Sequence, residues 1–414
     1  MPTVYPLTAL RALALHAQGL TTPNGQEPPS TPDAICKAVR QVGCVQIDTL
    51  QMVHRSHYLT LWSRLGSYDP ADFDRLAYNP AERRIFEGWQ RCASLIPLED
   101  YRYQMPQQNK TRLEPSDWYR RWLTQEGNPQ MVEEVLEYVR QNGPTRPSDF
   151  EYDGPRRGSW WDWKPAKVAL EFLYAFGDLM IAERVKFQRI YDLTERVLPG
   201  WVDTTPPSPE ERDRYWIELG ARALGVCQPL QAADYAYRKR TPSRAIIQGM
   251  LKEGVLVPVQ GQLANGSQAE MIVHRDHQAL LEQAASGALP ARRTTFLSPF
   301  DSLFWARDRD QHLWAFEQAL ECYKPAPQRI WGYYCLPILH HERLVGRFDP
   351  KLERQAGRLR LKALYLEPGV LPDEELVTGT AAALRDFLSF HKARDLVIER
   401  SQPEEFGLRL LKAL

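Results

Sequence analysis

The chain has 414 residues, with 52 Lys+Arg balanced by 52 Asp+Glu and a formal net charge of zero. Its length predicts about two to four domains, and at 43% hydrophobic and 25% charged it is globular and not disordered. The neutral total excludes the simplest nucleic-acid argument, a chain-wide positive charge, but leaves basic patches on one face open.

The N-terminal stretch through Leu20 lacks a basic segment before its apolar part, so it predicts an amphipathic helix and not a signal peptide. Thr31-Pro-Asp-Ala begins a helix to Arg40, Gly43 breaks it, and Cys44-Val-Gln-Ile-Asp48 alternates like a strand. A clearer helix–turn–hairpin unit occupies 144–199. Pro144–Ser148 reads as a loop leading into a helix start, and Pro165 suits a helix N1 position. Val168, Leu170, Phe172, Leu173 and Phe176 then share one broad helical face, and Gly177 suits the C′ position. Leu179–Arg184 and Gln188–Leu193 follow as strands. A third unit, 241–275, repeats the pattern: a helix from Thr241 to Leu251, Gly254, strand Val255–Gln260, turn Gly261–Gly266 and strand Ala269–His274, with an earlier helix over Gln231–Tyr237. Helix, tight turn and hairpin describe a winged helix.

From about residue 290 the texture becomes β-rich. Ile330–Leu336, Arg343–Phe348 and Arg358–Leu366 read as strands. A helix around Glu374–Lys392, a strand Leu396–Ile398 and a last helix from Pro403 close the chain. The expected fold is α+β: tandem winged-helix units (1–110, 111–205, 206–290) with a β-rich, barrel-like C-terminal domain (291–414). No run approaches the ~18 apolar residues of a membrane span. The six cysteines are scattered with no CxxC pair, which fits reduced thiols in a cytosol better than a disulfide framework or zinc site.

Among the candidate motifs, Gln46 and Asp48 lie two apart in a strand and so share a face. A carboxylate and a carboxamide side by side can hold one water, the first as base or electrostatic partner and the second as positioner. The structural alternative makes Asp48 the N-cap of a following helix and Gln46 a polar strand residue. Arg55, Ser56 and His57 can hold a phosphate, or serve as ion-pair and packing residues. Arg156, Arg157, Trp160, Trp161 and Lys164 mix bases and aromatics before a helix, a pattern suited to a phosphate backbone. Across 146–164, however, four Lys/Arg face four Asp/Glu, and the tryptophans can equally be packing. Arg238, Lys239 and Arg240, with Arg244, are opposed only by Asp234 across 231–250. They form either a solvated face or phosphate contacts of a winged helix. The close histidine pairs His274/His277 and His340/His341 lack a third ligand nearby in sequence, so no metal is expected. No Walker A or G-x-G-x-x-G motif is present, and no cofactor is implied.

These residues resemble one family in several collinear blocks. Gln46-Ile-Asp48-Thr leads to Arg55-Ser-His-Tyr-Leu and Trp62-Ser-Arg-Leu-Gly66. Arg157-Gly-Ser-Trp-Trp-Asp-Trp-Lys-Pro-Ala-Lys167 leads to Phe187–Arg196. Leu297-Ser-Pro-Phe-Asp301, Gly332-Tyr-Tyr-Cys-Leu-Pro337 and Val345-Gly-Arg-Phe-Asp349 follow. The whole is similar to the AlkZ/YcaQ family of interstrand-crosslink DNA glycosylases. The Gln-Φ-Asp triplet Gln46-Ile47-Asp48 resembles the YcaQ branch, not the Gln-Φ-Gln of the AlkZ branch. One departure stands out: where that branch carries Tyr-Trp-x-His-Glu-Ala, this chain reads Gly88-Trp-Gln-Arg-Cys-Ala93, which leaves the substrate range open.

The resemblance implies a monofunctional glycosylase of bacterial cytoplasm, acting as a monomer on double-stranded DNA that carries alkylated or crosslinked guanine. N7 alkylation makes the base a cationic leaving group, so the barrier lies in the developing oxocarbenium ion. Asp48 is expected to stabilise that charge and activate water, and Gln46 to orient the water. A non-enzymatic winged-helix DNA binder is the rival reading. A protein-interaction scaffold without DNA binding is a third.

Overall fold

The computed structural model describes residues 4–27, 29–150 and 165–414. The chain forms two compact units: Met1–Pro70, Gln90–Ser94 and Asp213–Leu414 make one, and Ala71–Trp89 with Leu95–Arg212 make the other.

In the first unit, the strands Leu256–Gln262 and Gln268–His274 form an antiparallel hairpin. Val226–Cys227 pairs on one edge, and the N-terminal strand Val4–Tyr5 pairs in parallel on the other. The hairpin follows the helices Pro229–Tyr235 and Arg240–Lys252, which is the expected helix–hairpin unit. The turn is shorter than the sequence predicts, because Gly261 stays in the ladder opposite Ala269. Gly261 is there for packing: a Cβ would come within 2.7 Å of Leu10 and 2.8 Å of the Met271 sulfur. Leu10 belongs to the N-terminal helix Leu7–Ala17, which forms where the sequence predicts one and is largely buried. Seven of its eleven residues are buried, including Leu10, Leu13 and Leu15, and it joins the core of Val226, Met271, Leu297 and Leu339.

The same unit carries the C-terminal sheet, a curled half-barrel. Its strand order is Thr294–Phe296, Leu336–His340, Arg343–Glu353, Arg358–Leu366 and Asp395–Ile398, with Ser401–Gln402 also pairing on Arg358–Leu366. The helix Glu374–Phe390, capped by the Asp373 side chain on the Leu376 N–H, sets Phe387 and Phe390 against Trp62. The predicted strand Ile330–Leu336 is instead a loop up to Leu336, and the reason is chemical. Two buried carboxylates collect the N–H groups that a strand would donate to a neighbour. Glu321 accepts from Ile330, Trp331 and Gly332, and Asp349 accepts from Tyr333 and Tyr334.

The second unit contains the helix Pro165–Phe176 and the hairpin Leu179–Val185/Gln188–Leu193, as the sequence predicts. Val168, Leu170 and Leu173 of the helix pack on Ile181 and Tyr191 of the hairpin. The helix ends in a Schellman motif: Gly177 takes φ +84°, its N–H reaches the Tyr174 carbonyl, and the Asp178 N–H reaches that of Leu173. Gly254 ends the helix Arg240–Lys252 in the same way, at φ +70°, with bonds to Leu251 and, through Val255, to Met250. Within this unit, the buried Glu87 binds Arg184 through both oxygens and accepts from the Tyr78 hydroxyl.

Candidate active site

Val45–Gln46 is a short strand, and the Ile47 N–H extends its pairing by donating to the Ala93 carbonyl at 2.8 Å. Val45 and Ile47 are buried, whereas Gln46 and Asp48 are half-buried. The alternation therefore separates the apolar pair from the polar pair as a strand requires. No helix follows Asp48. Its Oδ1 accepts the Leu50 N–H at 2.7 Å in a local turn, and Arg55 donates back to the Thr49 carbonyl at 2.5 Å, so the segment 48–55 closes on itself. The local-capping alternative is thus realised in part: Asp48 caps a turn, not a helix. Burial raises the Asp48 pKa above its ordinary value, against the opposing pull of the Leu50 N–H and the Arg55 charge. A desolvated carboxylate in a cleft is the kind of group that does chemistry.

Gln46 lines an open cleft of about 1200 Å³, together with Arg91, Cys92, Tyr237, Arg238, Trp305 and Tyr323. Asp48 is not itself part of that lining, but its charge reaches Cys92 and Tyr323, which are, and Cys322. Burial pushes the Cys92 thiol up to about 11 and raises that of Cys322 as well, so neither is a thiolate nucleophile at neutral pH. Arg91 is held by the Asp234 carbonyl at 2.9 Å, with its guanidinium 5.7 Å from the Tyr237 ring centre and 5.9 Å from that of Trp305. Tyr237 is 65% exposed and Tyr323 is 71% exposed.

Beneath the cleft, Arg64 makes two bonds to Asp301, at 2.8 and 2.9 Å, with both side chains buried. Gln18 accepts from Arg64 and from Ser302, at 2.9 and 2.7 Å, and the Ser56 and Ser298 hydroxyls meet at 2.9 Å. This frame ties the helix Ser56–Leu65 to the loop that carries Pro299 and Phe300 into the cleft wall.

A family model described as "DNA glycosylase AlkZ-like" matches residues 39–390. The chain belongs to the AlkZ-like DNA glycosylase family. Among solved structures, the Streptomyces sahachiroi DNA glycosylase AlkZ superposes with a TM-score of 0.64, at 14% identity, over 96% of this chain and 100% of that one. The likeness is one of fold, and it agrees with the α+β architecture and half-barrel described above.

The AlkZ-like blocks now have physical roles. Two of them meet in the Arg64–Asp301 pair, and two others meet where Asp349 takes the Tyr333 and Tyr334 N–H groups. A Cβ on Gly332, at φ +150°, would lie 2.5 Å from an Asp349 carboxylate oxygen, so this contact admits only glycine there. Of the residues suggested for DNA contact, Arg238, Lys239 and Arg240 line the cleft beside Gln46. Arg240 is already bound by both oxygens of Asp234, and Arg238 reaches Asp213 and Gln90, each at 3.4 Å. Ser56 and His57 are buried, Ser56 against Ser298 and His57 beside Tyr58. That burial gives them packing positions and keeps them from a phosphate. Arg156, Arg157, Trp160, Trp161 and Lys164 lie outside the described residues. The Arg91-Cys92 departure noted in the sequence lies in the cleft lining, whereas no sequence motif pointed to Tyr237 and Tyr323. Only the exposure of large aromatics points to the two tyrosines, and exposure is invisible in a single sequence.

Proposed function

We propose that this AlkZ-like glycosylase hydrolyses the N-glycosidic bond of N7-alkylguanine and unhooks interstrand crosslinks through that base, leaving abasic sites as a monofunctional enzyme. The observation that carries the reading is a desolvated carboxylate, Asp48, just past the short strand whose Gln46 lines an open cleft, within electrostatic reach of Cys92 and Tyr323 in the same lining. Asp48 stabilises the oxocarbenium ion and takes the proton of the attacking water, and Gln46 orients that water. The cationic base needs no acid to leave, which matches a site where burial raises the pKa of Cys92, Cys322 and Tyr323. An open cleft suits a crosslinked base better than a closed pocket, since such a base cannot swing fully free of the duplex. Tyr237 and Tyr323 offer exposed rings on which a base or an unstacked neighbour can rest.

The test is abasic-site formation, read on a gel, from duplexes carrying N7-methylguanine or a site-specific guanine crosslink. Cleavable abasic sites are expected with both substrates. Binding to both without abasic sites would instead favour a non-enzymatic lesion binder.

A further inference from the structure

The fold supplies the third ligand that sequence distance hides from one histidine pair. His340 ends the strand Leu336–His340, and His341 opens the two-residue turn to Arg343. Glu375 stands in the first turn of the helix Glu374–Phe390. One ligand atom from each of His340, His341 and Glu375 lies within 4.8 Å of the others. His341 Nδ1 and Glu375 Oε1 are 3.9 Å apart, too far for a direct hydrogen bond. Two donors on one tetrahedral zinc ion, each about 2.0–2.2 Å from it, sit roughly 3.4 Å apart. Glu375 is exposed, so its side chain can close that difference by rotation.

The surroundings are those of an oriented ligand. His340 Nδ1 bonds the Thr294 hydroxyl at 2.8 Å, which leaves Nε2 for a metal. Thr294 is itself fixed, because Asn24 donates to its carbonyl and accepts from its N–H, each at 2.8 Å. The imidazole lies over Gly379, where a Cβ would stand 3.3 Å from Cε1. The His341 ring now stacks on His340, with centres 4.1 Å apart and planes 19° from each other, so it must rotate out of the stack for both imidazoles to face one ion. His341 holds a left-handed φ of +55°, a state uncommon outside glycine that histidine tolerates better than most residues.

We propose that His340, His341 and Glu375 bind a divalent cation of the zinc class, with two imidazoles and one carboxylate as ligands and solvent completing the shell. Bound there, the ion would join the Leu336–Arg343 hairpin to the start of the Glu374–Phe390 helix. This inference stands apart from the glycosylase reading and needs no DNA.

Full-length protein is stripped with a chelator and titrated with Co²⁺, then with Zn²⁺ in competition. The expected result is one equivalent of Co²⁺ with visible d–d absorption and no thiolate charge-transfer band, together with a zinc-dependent rise in Tm. Two exposed-side variants avoid damage to the core: His341→Asn, which tolerates the left-handed turn, and Glu375→Gln. Each should abolish the Tm response, and Thr294→Val should weaken binding by about 10–100-fold. A thiolate band, no Co²⁺ binding, or unchanged affinity in both His341→Asn and Glu375→Gln would overturn the assignment.

Discussion

In the proposed mechanism Asp48 carries the heaviest chemical burden, and its environment sets opposing demands. Burial raises its pKa above the ordinary 3.8, so the folded chain holds the proton more tightly than the unfolded chain does. A group of that sign adds stability at low pH and loses it as pH rises through the folded-state pKa. Its ionisation is therefore a cost at neutral pH. Asp48→Asn keeps an oxygen for the Leu50 N–H and removes that cost. The variant should melt at or above the wild-type temperature while base release from N7-methylguanine DNA falls by about 10²–10³-fold. A variant with near-wild-type activity would remove Asp48 from the chemistry. The pH profile follows from the same shift: only the ionised carboxylate acts, so activity should fall on acidification through a midpoint above 3.8. Because the leaving base is already cationic, there should be a single acid limb and not a bell. The profile is measured with spontaneous depurination subtracted, and an alkaline limb attributable to a general acid would count against the mechanism.

Tyr237 is the second residue whose conformation argues for function. The helix Pro229–Tyr235 ends in the same Schellman bonds seen at Gly177 and Gly254, with Tyr237 N–H on Asp234 and Arg238 N–H on Ala233. Yet the C′ position holds a tyrosine at φ +54°, where glycine is the usual occupant. An exposed tyrosine in that backbone state loses about 1 kcal/mol or more relative to glycine. Tyr237→Gly should therefore raise Tm or leave it unchanged. If the ring supports DNA, the same variant should weaken binding to a lesion-bearing duplex several-fold. Wild-type affinity in that variant would return Tyr237 to the role of an accidental surface ring.

At the scale of elements, legibility follows the range of the contact. Helix Pro165–Phe176, helix Arg240–Lys252 and their hairpins are specified by caps, glycines and apolar spacing within a few residues, and they form where those signals place them. The loop 330–335 is misread because its N–H groups are satisfied by Glu321 and Asp349, up to 16 residues away, and no local pattern announces a carboxylate that replaces a strand. For the site, the sharing of a face by Gln46 and Asp48 is legible, since it needs only the period of a strand. The Arg64–Asp301 pair spans 237 residues, so it shows in sequence only as two separate blocks. Its energetics are testable. Removing one partner leaves a buried charge alone, so Arg64→Met or Asp301→Leu should each cost about 3–5 kcal/mol in chemical denaturation. The double variant should cost much less than their sum. Additive losses would show that the two side chains do not work as a pair.

At the scale of the molecule, the zero net charge bears directly on how DNA can be held. Among the described residues, five Lys/Arg line the cleft: Arg91, Arg238, Lys239, Arg240 and Arg307. Four Asp line it as well, of which Asp301 is buried against Arg64. Asp234 neutralises Arg240 and accepts the Arg307 N–H, so it also shapes the wall. The described part of the cleft is thus only weakly basic, and its own contacts should release few counterions. Each phosphate neutralised contributes about 0.9 to the slope of log K against log salt. Lys239 is exposed at the cleft, and Arg238→Ala combined with Lys239→Ala should weaken binding and flatten that slope. The sharper test runs the other way. Asp234→Asn releases the Arg240 guanidinium while keeping one acceptor, so affinity for duplex DNA should rise and the slope should steepen by up to ~0.9. The measurement is fluorescence anisotropy over a salt series. An unchanged slope in both variants would place the 238–240 segment off the DNA path and move the phosphate contacts elsewhere in the chain.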